Sequence, residues 1–242
     1  MKKKLLKGVV AAVAAVGLLA GSALAVPNTP VNVSGENGEP TLNDIFRNQG
    51  WDIDANRDQI AEDRYWTVSE GTTSGGWVSM IIQIAGLQGT NTFGIYDQAD
   101  NYYQLFDGAA DFGHKAAITW SNTTGKMSYT LFTDEGFIFG QGGIEMSQVF
   151  GFYLFNGTDY LYSDYTKNAD NIDYMVSYAG TGANGLSLGH WILAFEDTIG
   201  GDRDFNDMVI MVESIQPIPE PTTMLLFGTG LLGLAAVARR RS

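Results

Sequence analysis

Trp191-Ile192-Leu193-Ala194-Phe195-Glu196-Asp197-Thr198-Ile199-Gly200-Gly201-Asp202-Arg203-Asp204-Phe205-Asn206-Asp207-Met208-Val209-Ile210-Met211-Val212-Glu213 reads as an apolar strand, an acidic Gly-Gly turn and a second apolar strand. Alternation along the second strand puts Met208, Ile210 and Val212 on one face. Pairing the two strands as a hairpin brings the acids that end the first close to those that begin the second. Outward from this hairpin the same signals recur. Strands are predicted over 77–85, 92–96, 102–106, 115–120, 126–132, 148–155 and 173–178, separated by turn clusters such as Gly86-Leu87-Gln88-Gly89 and Asn122-Thr123-Thr124-Gly125. A short helix is predicted over 41–49, where Thr41 caps and Leu42, Ile45 and Phe46 share a face. Strands at this spacing with 30 glycines predict a mainly all-β fold, an antiparallel β-sandwich or jelly roll with one short N-terminal helix.

All six prolines fall outside residues 41–216, which therefore read as one domain, preceded by a flexible linker over 26–40. Residues 1–25 have the layout of a signal peptide: Lys2, Lys3, Lys4 and Lys7, an apolar run over 9–20, then Ala23-Leu24-Ala25 as a small-residue cleavage site. At the other end Pro217, Pro219 and Pro221 argue against a regular strand or helix through 216–221, an apolar stretch occupies 224–238, and Arg239, Arg240 and Arg241 follow. Between these ends lie twenty-six acidic and seven basic side chains, a net charge of −19. Such a polyanion repels phosphate backbones, which argues against nucleic acid and for multivalent cations as partners. With no cysteine in the chain, disulfides and thiolate chemistry are excluded.

The ordered set of Pro219-Glu220-Pro221, apolar stretch and triple arginine resembles the PEP-CTERM sorting signal of Gram-negative bacteria. The resemblance implies handling by an exosortase-type membrane peptidase, transient anchoring through a C-terminal transmembrane helix over 217–242, and delivery to the cell surface or an exopolysaccharide matrix. A permanent single-span anchor is the alternative that the short apolar stretch also fits.

Five carboxylates stand within twelve residues: Glu196, Asp197, Asp202, Asp204 and Asp207. Brought together they repel one another, and a hard cation taking six to eight oxygens relieves the repulsion, calcium suiting a flexible loop better than magnesium. The expected site has Asp202, Asp204 and Asp207 as ligands, Asn206 among them, and Glu196 or Asp197 completing the shell. An EF-hand is rejected despite Asp202-x-Asp204-x-Asn206, because Asp207 stands where its loop needs glycine and the following strand carries Glu213 away. The plain alternative is a solvated turn in which Arg203 pairs with one acid. The segment is similar to the closing signature of the DUF4114 family over about 151–213, which implies secretion and gives no reaction. A second run, Asp52-x-Asp54-x-Asn56-x-Asp58 with Glu62 and Asp63, has EF-hand-like opening spacing but Arg57 at the glycine position.

Patterns that resemble catalytic motifs lack their context. Gly180-Thr181-Gly182-Ala183-Asn184-Gly185 is not followed by the helix that a dinucleotide site requires. Gly185-Leu186-Ser187-Leu188-Gly189 is followed by a strand, and no histidine arrives from a later loop: His190 adjoins the motif and His114 precedes it. Two histidines and no cysteine leave a catalytic zinc without its usual ligands. The sequence therefore predicts a non-enzymatic, calcium-stiffened surface protein with an anionic exopolysaccharide as candidate partner. Its rivals are a carbohydrate-binding module using exposed tryptophans and a glycosidase, which needs only two placed carboxylates.

Overall fold

The computed structural model describes residues 31–34, 38–61, 63–68, 75–83 (backbone alone), 89–108, 110, 113–133 and 135–218. The expected signal peptide and the apolar stretch over 224–238 lie outside them. Among the described residues no helix is long and apolar enough to cross a membrane.

The only α-helix among them, α1 (Leu42–Asn48), starts where the sequence places it. Thr41 and Asp44 form a reciprocal capping box, which satisfies backbone donors that the first turn leaves unpaired. Among the described residues thirteen strands follow in chain order: β1 (Trp66–Val68), β2 (Gly75–Gln83), β3 (Thr92–Asp97), β4 (Tyr102–Phe106), β5 (Lys115–Trp120), β6 (Met127–Thr133), β7 (Gly136–Ile144), β8 (Val149–Phe155), β9 (Tyr160–Tyr162), β10 (Met175–Ala179), β11 (His190–Phe195), β12 (Met208–Glu213) and β13 (Ile215–Pro217). They form two antiparallel sheets, ordered β10-β11-β12-β2-β5-β6-β7 and β13-β1-β8-β3-β4, with β9 added to β8.

The sheets close on one core. Phe93, Ile95, Phe150, Phe152 and Leu154 of the second sheet pack with Ile118, Trp120, Leu193, Phe195, Met208, Ile210 and Val212 of the first. Fully burying a side chain of this size contributes about 1.5–3 kcal/mol, so this shared core holds the sandwich together. Trp66 lies edge-on to Trp191 and Phe152, and its indole N–H donates to the Asp63 carbonyl at 2.7 Å. Strands β10 to β12 are buried on both faces. Their other side chains (Val176, Tyr178, Ile192, Ala194 and Val209) pack with Leu42, Ile45 and Phe46 of α1 in a second cluster. The continuous apolar lettering of β11 and β12 follows from this double burial.

Four strands were not expected. Strand β7 is an exposed edge in which Gly136, Gly140, Gly142 and Gly143 mask the strand signal. Strands β1, β9 and β13 are three-residue pieces fixed by pairing alone. Pro217 ends β13 opposite Trp66, a correction to the expectation that proline keeps regular structure out of 216–221; a strand end on a sheet edge needs no N–H there. Described residues from Val31 to Ile218 belong to one compact unit, within which the expected domain 41–216 lies. Within the expected linker, Val31 and Val33 are buried in the second cluster, and their N–H groups donate to Gln59 and Asn56 at 2.8 Å.

Replacing Thr41 with alanine removes the cap and is expected to lower stability by about 1 kcal/mol, read as a shift of the urea midpoint at unchanged slope. An unchanged midpoint would mean that the box contributes nothing to α1.

Candidate metal centre

The hairpin forms as the sequence predicts, and its register sets the site. Phe195 pairs with Met208 as the last rung of the β11–β12 ladder, so Glu196 and Asp207 are the next residues out on facing strand ends. The connecting loop is wound tightly. Arg203 and Phe205 both take positive φ, 63° and 55°. A left-handed aromatic residue is held only where its surroundings insist on it. Here the Phe205 ring is buried in the second cluster. From outside, the Ser34 N–H donates to the Arg203 carbonyl at 2.9 Å, the Ser34 hydroxyl bonds the Asp202 carbonyl, and Asn206 Nδ2 donates to the Pro40 carbonyl at 2.9 Å.

Two groups of carboxylate oxygens result, each with its atoms within 4.8 Å of one another: Glu196 with Asp202 and Asp204, and Glu196 with Asp197 and Asp207. Glu196 belongs to both. The Asp207 carboxylate accepts the Asp197 backbone N–H at 2.8 Å. Asp197 itself is steadied from the opposite sheet. Asn91, just before β3, donates to its Oδ2 at 2.8 Å, and Asn156, just after β8, donates to its carbonyl at 2.7 Å. Thr198 donates to Asp197 Oδ1 at 2.8 Å. An open cleft of about 280 Å³ leads to these groups, lined by Glu39, Glu196, Asp197, Thr198, Gly201, Asp202 and Asp207. Gly201 leaves room for Glu196, since a Cβ there would fall about 2.1 Å from Glu196 Oε1 and push that carboxylate aside.

This is not a solvated turn. Glu196, Asp197 and Asp204 are 2%, 4% and 4% exposed, although Asp202 remains in solvent. Among the described residues no ion pair joins Arg203 to these acids; its charge is felt at Asp170. Glu196 Oε2 is buried without a hydrogen-bond partner, as are Asn206 Oδ1 and Asn91 Oδ1. Burial, followed by the charges of Asp202 and Asp204, pushes the Glu196 carboxyl up to about 7. Burial and the charge of Asp197 push Asp207 up to about 8, and Asp204 is raised for the same kind of reason. These shifts are caused by the apolar strands and docked loop that keep water away.

Every acid singled out in the hairpin reaches the site, and Asn206 lies beside Asp204. Asn91, Asn156, Glu39 and Gly201 were missed. The first three come from distant turns with no local signal, and only the Gly-Gly pair was visible. The second acidic run uses its groups internally. Asp54 accepts from the N–H groups of Asn56 and Arg57, Asp58 pairs with Arg57 at 2.8 Å, and Asp63 accepts from Ser177. Glu62 lies outside the described residues. The glycine-rich segment 180–189 is the β10–β11 connection, and His190 faces Glu213 at 2.9 Å.

Two family models match the chain. Residues 136–215, from β7 through the acidic hairpin, match the family described as a domain of unknown function, DUF4114, and residues 217–241 match the PEP-CTERM protein-sorting motif. The DUF4114 match covers about a third of the chain and starts one strand earlier than the sequence signature suggested. The sorting motif marks it for exosortase-dependent export to the envelope of a Gram-negative bacterium. No curated protein and no solved structure matches the chain.

Without added cation the site predicts a definite pH response. Glu196 and Asp207 keep their protons in the fold until about pH 7 to 8, whereas the unfolded chain releases them near 4. The folded state therefore binds more protons over that window, and its stability falls as pH rises through it. Asp97, whose burial is outweighed by hydrogen bonds from Asn101, Ser147 and Ala99, is ionised in both states above pH 5 and leaves the trend alone. Melting temperature in a chelating buffer is expected to be lower at pH 8.5 than at pH 5.5. A flat or rising profile would show that the two carboxyls are not held protonated.

Proposed function

We propose that this protein is a non-enzymatic module of the bacterial cell surface or extracellular matrix, whose acidic corner is closed by calcium. The observation that carries the reading is Glu196: a carboxylate 2% exposed, with Oε2 unpartnered, set among four further carboxylates on two strand ends and their loop. An ionised group in that position is costly unless paired, and no cationic side chain pairs with it among the described residues. Glu196 with Asp202 and Asp204, or Glu196 with Asp197 and Asp207, would supply carboxylate oxygens to an ion, with carbonyls and water completing a shell of six to eight. That irregular set suits calcium better than the near-octahedral demand of magnesium. Bound calcium neutralises the repulsion and fixes the loop to both sheets. The exposed Asp202 leaves one side of the ion open to the carboxylates of an anionic exopolysaccharide.

A glycosidase is the second reading, favoured by the raised Glu196 and Asp207 carboxyls. Against it, no aromatic ring among the described residues lines the cleft on which a sugar could stack. Recognition through exposed tryptophans has little support. Trp66 and Trp120 are core residues, Trp51 and Trp191 are half-buried against the two clusters, and the side chain of Trp77 lies outside the described residues.

A ligand held only by the folded state stabilises it by about 2.7 kcal/mol at one hundred times its dissociation constant. Millimolar calcium is therefore expected to raise the melting temperature of the purified chain by several degrees at pH 7.5, magnesium to do less, and excess chelator to reverse the shift. No shift with calcium would overturn the proposal, and release of reducing ends from a polysaccharide would move the assignment to the second reading.

A further inference from the structure

Two oxygens that share one calcium at about 2.4 Å each can lie no more than about 4.8 Å apart. The carboxylates of the corner do not form one set of five within that limit. They form two sets of three, and the one residue common to both is Glu196. We propose that the corner holds two divalent cations side by side, bridged by the Glu196 carboxylate, one on Asp202 and Asp204 and the other on Asp197 and Asp207. This deepens the calcium reading above and rests on it.

Charge supports the same count. A single divalent ion among five carboxylates leaves three negative charges in a corner largely shut off from water, whereas two ions leave one. Position supports it as well. Glu196 sits between the strand end that carries Asp197 and the loop that carries Asp202 and Asp204. Its Oε1 lies against Gly201, and its Oε2 is buried with no hydrogen-bond partner. A carboxylate that belongs to both acidic groups and keeps a buried oxygen without a hydrogen-bond partner is placed to bridge. Each half has a buried amide beside it whose oxygen also lacks a partner. Asn206 donates its backbone N–H to Asp204, and Asn91 donates its side-chain amide to Asp197. These are neutral oxygens of the kind that calcium accepts alongside carboxylates.

The two halves are anchored differently. Asp197 and Asp207 are tied to each other and to Asn91 and Asn156 of the opposite sheet, so their half is set once the sandwich has formed. Asp202 and Asp204 sit on the loop that Ser34 holds from outside. The first ion therefore belongs to the framework and the second to the loop, and filling the loop site depends on a Glu196 already drawn into place.

The test is stoichiometry on the full chain stripped with chelator. Native mass spectrometry and a calorimetric titration with calcium are expected to give two ions per chain. The pair Asp202→Asn with Asp204→Asn is expected to retain one ion, as is the pair Asp197→Asn with Asp207→Asn, while Glu196→Gln holds neither at about 1 mM calcium, the range of extracellular modules. One ion per wild-type chain would overturn the two-ion arrangement and leave the calcium reading standing. No ion at all would overturn both. The count is taken on the unaltered chain, so a variant that fails to fold does not leave it open. Circular dichroism of each variant separates loss of a ligand from loss of the fold.

Discussion

The constraint on which the site depends is the register of one pair of strands. Phe195 and Met208 face each other in the first core, and that pairing leaves Glu196 and Asp207 as the next residues on two adjacent strand ends. Shifting the register by one residue would turn Phe195, Met208, Ile210 and Val212 out of the core, so the hydrophobic faces fix the meeting of the acids. The carboxylates do not choose to approach one another. Apolar burial forces them together, and their repulsion remains for a cation to relieve.

The rest of the molecule keeps that corner dry and in shape. Helix α1 and the segment Val31–Ser34 cover the outer face of β10 to β12, and Phe205 is drawn under the same cover. That anchoring winds Arg203 and Phe205 into positive φ and turns Asp204 inward. From the other side, Asn91 and Asn156 reach across from the second sheet to Asp197. The site is therefore a joint between the two sheets and the N-terminal segment, and filling it with cations would tie three parts of the chain together. For a protein exported beyond the cytoplasm, such ties would take the place of the disulfides that a chain without cysteine cannot form.

Much of this was legible from local patterns. The capping pair Thr41 and Asp44, the alternation of Met208, Ile210 and Val212, and the acids bracketing Gly200-Gly201 each carry their structural meaning within a few residues. Strand β7 was not legible, because its glycines and its exposure on both faces erase the alternation by which strands are recognised. Strands β1, β9 and β13 were hidden by brevity. The burial of the corner was hidden for a related reason: nothing in a run of aspartates shows that the N-terminal segment and the second sheet hold it.

What the sequence determined by itself was the all-β architecture, the two acidic strand ends that meet in a hairpin, and the sorting tail, since each is written in spacing and composition over short stretches. What only the tertiary structure decided was the environment of those acids: which are buried, how they divide into two groups around Glu196, and that Asn91, Asn156 and Ser34 hold them. Burial and desolvation are set by residues far away in the chain, and no local pattern encodes how close such residues come.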